Sequence, residues 1–214
     1  MKRLLTVLFF ALFSGSAYAS PCDQFFPNGK EIVVADAQVI CHSFYATVFY
    51  HGANVFSTEA TQTKDAKTVR VDAFRPDPAV VNSPTPDDYT NSGFDRGHMV
   101  PAADSSNATQ MSDTFFMTNM TPQYPSVNRI AWKLLEESVR GMDTKTVLTG
   151  AIYKKENYAV IGTHKVPVPA VLYKVVYLKD GTIKAFEADN VKDNKTTKSV
   201  TIEELEKQTG IILH

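Results

Sequence analysis

The chain holds only two cysteines and one tryptophan in 214 residues, its 22 basic and 23 acidic side chains nearly cancel, and no C-x-x-C pair occurs. Each shortage removes a class of protein. Two cysteines cannot staple a disulfide-dense scaffold, and without C-x-x-C neither a zinc ribbon nor a thioredoxin-like redox motif is present. The near-neutral balance excludes a blanket basic surface, so attraction to a polyanion has to come from a local group of arginines and a metal ion. Beyond the first two dozen residues no stretch stays apolar for the ~20 residues of a membrane span. Internal repeats, low-complexity tracts and Gly/Ser linkers are lacking too, which leaves one domain as the economical organisation.

What is present begins with a leader. Lys2 and Arg3 precede an apolar run over residues 4–13 and then Ala17-Tyr18-Ala19, the pattern of a secretory signal peptide spanning residues 1–19. The remaining chain, residues 20–214, is expected to be exported, either secreted or periplasmic. Without Lys2 and Arg3 it carries 20 basic against 23 acidic side chains, a net charge of -3. In an oxidising compartment Cys22 and Cys41 are expected to pair as a disulfide. A zinc site on Cys22, Cys41, His42 and His51 is the alternative, though it matches no usual ligand spacing.

The pattern of elements predicts an α+β fold around a central, mostly antiparallel sheet. Residues 43–50 and 54–63 read as strands joined by a hairpin at His51-Gly52-Ala53. A long irregular connection rich in proline follows over residues 72–92. Residues 113–120 read as a short strand stopped at Thr121-Pro122. One long helix is expected from Ser126 or Asn128 to Gly141, with Ile130, Trp132, Leu134, Leu135 and Val139 near one face. Further strands are expected over 146–153, 158–161, 166–178 and 182–188, with Lys179-Asp180-Gly181 as a hairpin turn. Ser199 or Thr201 with Glu204 signals a last helix, ending at Gln208 before Gly210.

The stretch richest in chemistry is Asp95-Arg96-Gly97-His98, read as a short turn. Phosphodiester hydrolysis needs an activated water, compensation of charge on the phosphoryl oxygens, and help for the leaving oxygen. His98 can accept a proton near neutral pH. Arg96 has the fork that grips phosphate oxygens, and Gly97 allows an unusual backbone turn and close approach of substrate. Asn128 suits a helix cap, but its neutral amide oxygen is also a hard ligand for Mg²⁺ or Mn²⁺. Glu136 lies eight residues further, about 12 Å along a regular helix, which favours a role through metal-bound water over direct ligation. Arg70 and Arg75 can reach phosphate or pair with Asp72 or Asp77, and Arg129 and Lys133 can steer a polyanion.

Four blocks occur in one order: Arg70-Val71-Asp72-Ala73-Phe74-Arg75-Pro76-Asp77, then the run from Asp95 to Asp104, then Met117-Thr118-Asn119-Met120-Thr121-Pro122-Gln123, then residues 128–136. This succession resembles the sugar-non-specific DNA/RNA endonucleases of the ββα-metal (His-Me finger) superfamily, over residues 70–140, with a weaker continuation over 166–176. The resemblance implies two strands and a helix that cradle a metal against a central sheet. It implies His98 as general base, Asn128 as the one direct protein ligand of Mg²⁺ (or Mn²⁺), and Glu136 as holder of the metal's water shell. Arg70 and Arg96 would be catalytic contacts to phosphate, with Arg129 a further substrate contact and Asp95 and Asn119 structural supports. DNA and RNA would be cut without sequence readout, leaving 5'-phosphate ends. Two other readings use the same residues: a secreted nucleic-acid-binding protein without turnover, and an effector delivered to other cells.

Overall fold

The computed structural model describes residues 20–61, 68–153 and 159–214, so the leader expected over residues 1–19 lies outside the described residues. The fold is α+β. The strands are β1 (Gln38–Cys41), β2 (Tyr45–Tyr50), β3 (Ala53–Ala60), β4 (Asp95–His98), β5 (Met120–Gln123), β6 (Thr144–Ile152), β7 (Val160–Ile161), β8 (Val166–Pro167), β9 (Val171–Leu178), β10 (Ile183–Asp189) and β11 (Lys198–Val200). The α-helices are α1 (Ala108–Asp113), α2 (Lys133–Arg140) and α3 (Ile202–Thr209). Among the described residues, seven strands form one sheet in the order β1-β2-β3-β6-β9-β10-β11, each pair antiparallel.

Both faces of this sheet are covered, which explains why its central strands read as apolar runs instead of alternating. One face, with Val48, Phe56, Leu148, Tyr173 and Val175, packs under the N-terminal arm (Phe25, Phe26) and α3 (Leu205). The other face, with Val147, Ala151, Leu172 and Val176, packs under Val127, Trp132, Leu135 and Val139. That second layer is the platform for the chemistry.

The β2–β3 hairpin turns at His51 and Gly52, both with positive φ, and Gly181 does the same between β9 and β10. Thr201 caps α3 reciprocally with Glu204, and Gly210 ends it in the left-handed conformation. Cys22 and Cys41 form a disulfide, so the zinc alternative falls away. His42 is stacked between Tyr45 and Phe116 instead.

Three expectations are corrected. Residues 113–120 are not a strand: Asn107 accepts a hydrogen bond from the Gln110 amide and starts α1, and a 3-10 turn occupies Met117–Asn119. The strand begins only at Met120, and Pro122 lies within it, tolerated because β5 has a single partner, β4. Asp95-Arg96-Gly97-His98 is that partner strand and not a turn. In the long helix, Val127–Trp132 is π-helical before α2 begins. The wider winding shifts the phase, so Ile130 and Leu134 are exposed while Val127, Ala131, Leu135 and Val139 are buried.

The Cys22–Cys41 bridge closes a loop with a sequence separation of 19, for which chain entropy gives about 3 kcal/mol. Reduction is expected to lower the melting temperature by roughly 5 to 10 °C while leaving the rate per folded molecule unchanged. Parallel calorimetry and activity assays check this. A rate loss with an unchanged melting temperature would contradict it.

Candidate active site

Strand alternation sorts the Asp95–His98 segment into two sets. Arg96 and His98 point one way, Asp95 and Gly97 the other. The pairing is Asp95 with Gln123, Arg96 with Pro122, Gly97 with Thr121 and His98 with Met120. Gly97 owes its identity to packing and not to an unusual turn, because a Cβ there would lie inside the buried Gln123 side chain. Past His98 the chain is pinned by Asn119, which is fully buried. Asn119 Oδ1 accepts from the Val100 amide at 3.0 Å, and Nδ2 donates to the carbonyls of Val100 and Thr114, each at 2.9 Å.

On the first face, two phenylalanines gather the charged groups. Phe74 and Phe115 meet edge to face at 4.9 Å, and the His98 ring lies 5.8 Å from Phe74 and 5.0 Å from Phe115. The Arg96 guanidinium stacks 4.4 Å from Phe74, and that of Arg70 lies 5.1 Å from Phe115. Burial, reinforced by the Arg70 charge, pushes the His98 imidazole down to about 3, with Asp72 opposing. The ring is therefore neutral at ordinary pH. His98 Nε2 is buried with no partner among the described residues, while the residue as a whole is half-buried.

On the second face, one carboxylate collects the helix. Asn128 Nδ2 donates to Asp95 Oδ2 at 2.9 Å, and Arg129 donates to both Asp95 oxygens at 2.8 and 2.6 Å. Burial would raise the Asp95 carboxyl, but the hydrogen bonds from Arg129 and Asn128 outweigh it and hold it below its ordinary value. With Nδ2 engaged, the Asn128 amide oxygen is the atom left to face outward. Glu136 is half-buried, and burial pushes its carboxyl up to about 7, against the nearby charges of Lys174 and Arg140. No hydrogen bond joins Glu136 to Asn128 or His98 among the described residues.

The sequence-predicted residues thus fall into two groups, Arg70, Arg96 and His98 on the phenylalanine pair, and Asn128 and Arg129 on Asp95. Arg75 belongs to neither. It donates to the carbonyls of Ala73 and Ser112 and stacks on Phe116 at 3.9 Å, a structural role. Arg70 takes the other option that its spacing left open and bonds Asp72 at 2.7 Å. Sequence reasoning missed Phe115, which lies in none of the motif blocks. It also missed a group behind the helix: the buried Glu59 and Lys174 with the part-buried Asp104, which is bound by Arg140 at 3.0 Å. The available signal for the latter was a lysine inside the apolar run of β9.

A family model described as DNA/RNA non-specific endonuclease matches residues 26–214. The mitochondrial nuclease 1 of Schizosaccharomyces pombe is 31% identical over 92% of this chain and 71% of its own length. The mitochondrial nuclease EXOG of Xenopus laevis is 32% identical over 65% of this chain and 46% of its own, so this chain spans about half of that relative. The nuclease of Serratia marcescens is 29% identical over 65% of this chain and 60% of its own. A chain in the crystal structure of the EndoG/EndoGI complex superposes with a TM-score of 0.71 at 28% identity, covering 81% of this chain and 84% of that one.

The steric account of Gly97 predicts that Gly97→Ala overpacks the ribbon and costs about 1–3 kcal/mol. Adding Gln123→Ala is expected to recover most of that. Denaturant melts of the single and double variants decide, and a double variant no more stable than Gly97→Ala would refute the packing argument.

Proposed function

The chain belongs to the DNA/RNA non-specific endonuclease family, and on that premise we propose that it is a divalent-metal-dependent endonuclease that hydrolyses DNA and RNA phosphodiester bonds without sequence preference. The observation that carries the reading is a neutral imidazole, His98, flanked by two guanidiniums stacked on the same aromatic pair. Such a ring can accept a proton at once, and the two arginines mark where an anion sits.

The donor chemistry fits a hard cation. Asn128 offers a neutral amide oxygen whose partner nitrogen is committed to Asp95, and Mg²⁺ takes few protein ligands while keeping several waters. Asn128 would be the direct ligand of Mg²⁺ or Mn²⁺, and Glu136 would accept hydrogen bonds from the ion's waters. When bound, the ion supplies positive charge that offsets the charge on the leaving 3' oxygen.

His98 takes the proton from the attacking water, which approaches phosphorus in line with that leaving 3' oxygen, so the upstream fragment ends in a 3'-hydroxyl and the phosphate stays on the 5' oxygen of the downstream fragment. With Nε2 buried, Nδ1 would be the nitrogen that does this. Arg70 and Arg96 grip non-bridging oxygens; stacking on the rings uses none of their donors, and Arg70, whose Nε is bonded to Asp72, would grip with its terminal nitrogens. Arg129 uses its Nε and Nη2 on Asp95, so its contact to substrate would be made with the remaining donors. All these contacts go to phosphate, which explains cleavage without base readout.

One nuclease domain over residues 20–214, exported after removal of residues 1–19, is the organisation this reading takes. The Cys22–Cys41 bridge supports export, since such bonds persist in oxidising compartments. Several relatives carry the word mitochondrial in their names, a property of those proteins.

The decisive assay is metal-dependent degradation of plasmid DNA and of RNA by the purified chain. His98→Ala is expected to lose about 10²- to 10⁴-fold in rate with its circular dichroism unchanged; equal activity in both proteins would sink the assignment. A second expectation concerns pH. A carboxyl at about 7 is protonated below that pH and loses the negative charge with which it holds metal-bound water, whereas His98 stays neutral down to about 3. The acid limb of kcat/KM should therefore fall near pH 7 and disappear in Glu136→Gln. An acid limb that survives in Glu136→Gln would assign it elsewhere.

A further inference from the structure

Strand β9 is buried along nearly its whole length, yet Lys174 stands in its middle with 1% of its surface exposed. A buried ammonium persists only where its charge is answered. Lys174 Nζ donates to the Thr149 hydroxyl on β6, the residue directly opposite in register, and lies 5.4 Å from the ring centre of Trp132 in the π-helical segment. Among the described residues Lys174 makes no direct ion pair. The carboxylates that feel its charge are Glu59, Asp104 and Glu136.

These groups occupy one layer. Glu59 pairs with Val147 and Lys174 with Thr149, two residues along β6, so Glu59, Thr149 and Lys174 share the sheet face that packs under the catalytic helix. The Glu59 and Asp104 carboxyls lie close enough that each shifts the other, and Asp104 is held by Arg140 at 3.0 Å. Arg140 is the helix neighbour four residues after Glu136 and would be its natural partner, but Asp104 has taken it. Lys174, seated 5.4 Å from the ring centre of Trp132 four residues before Glu136 in the chain, is the cation whose charge acts most on Glu136, and among the described residues no carboxylate binds it.

We propose that Lys174 is a positioning residue for Glu136, fixing from beneath the helix the carboxylate that orients the metal's water. The inference rests on the metal-dependent reading above. The cation is anchored on the sheet by Thr149 of β6, with the Trp132 ring of the helix lying over it, so its place is set by the sheet and shared with the helix. A carboxylate has two oxygens, and a fixed cation behind it selects which one turns toward the water shell.

The test is Mn²⁺ binding, followed by electron paramagnetic resonance on the whole chain without substrate, for the native protein, Lys174→Met, Glu136→Gln and the double variant. Lys174→Met should bind about tenfold more weakly, and the double variant no more weakly than Glu136→Gln alone. Leu172→Ala on the same strand is the packing control, expected to lower the melting temperature without changing Mn²⁺ affinity. Native-like or tighter binding by Lys174→Met would overturn the proposal, as would losses that multiply in the double variant. Should Lys174→Met fail to fold, Thr149→Val removes the anchor with little change of shape and should weaken Mn²⁺ binding; unchanged affinity there overturns it equally. A native protein that binds no Mn²⁺ would instead bring down the metal-dependent reading itself.

Discussion

The Asp95 carboxylate takes one hydrogen bond from Asn128 and two from Arg129, and through it the two halves of the site are joined. Among the described residues, the strand that carries His98 and the helix that carries Asn128 share no other side-chain bond at that end. A second carboxylate works in the same way at the other end, since Asp104, six residues past His98, binds Arg140 at the last turn of α2. Two acids from one motif therefore clasp both ends of one helix. The arrangement fixes the helix lengthwise against the ribbon, while the apolar layer of Trp132, Leu135 and Val139 sets its height above the sheet.

The same economy governs charge. The chain is close to neutral overall, so any affinity for a polyanion has to be local. The structure concentrates it by stacking Arg70 and Arg96 on phenylalanines around a deprotonated histidine. Phe74 and Phe115 serve two purposes at once: they desolvate the imidazole, which keeps it neutral, and they hold the guanidinium planes without using donors. Arg70 spends only its Nε, on Asp72, whereas Asp113 and two carbonyls engage both terminal nitrogens of Arg75.

Much of this was legible in the sequence. The sheet strands, the hairpin at His51-Gly52, the capping box of α3 and the disulfide followed from local rules, and the family was readable from four motif blocks in order. What was hidden depended on partners far along the chain. Asp95–His98 is a strand only because Met120–Gln123 pairs with it, and a proline in that partner disguised it. The π-helical segment was invisible because an apolar pattern read at 3.6 residues per turn puts Ile130 and Leu134 in the core, whereas the wider turn places them outside. Phe115 and Lys174 reach the site by tertiary packing, and no short-range spacing announces them.

The proposed metal-dependent chemistry stands or falls on Asn128, oriented by Asp95, being the one protein ligand of the ion. Anomalous diffraction from crystals soaked in Mn²⁺ is the sharpest check. One strong peak is expected within bonding distance of Asn128 Oδ1, with Glu136 reaching it only through water. A peak ligated directly by Glu136 or Asp95, or an Asn128 amide turned away from the ion, would refute that arrangement.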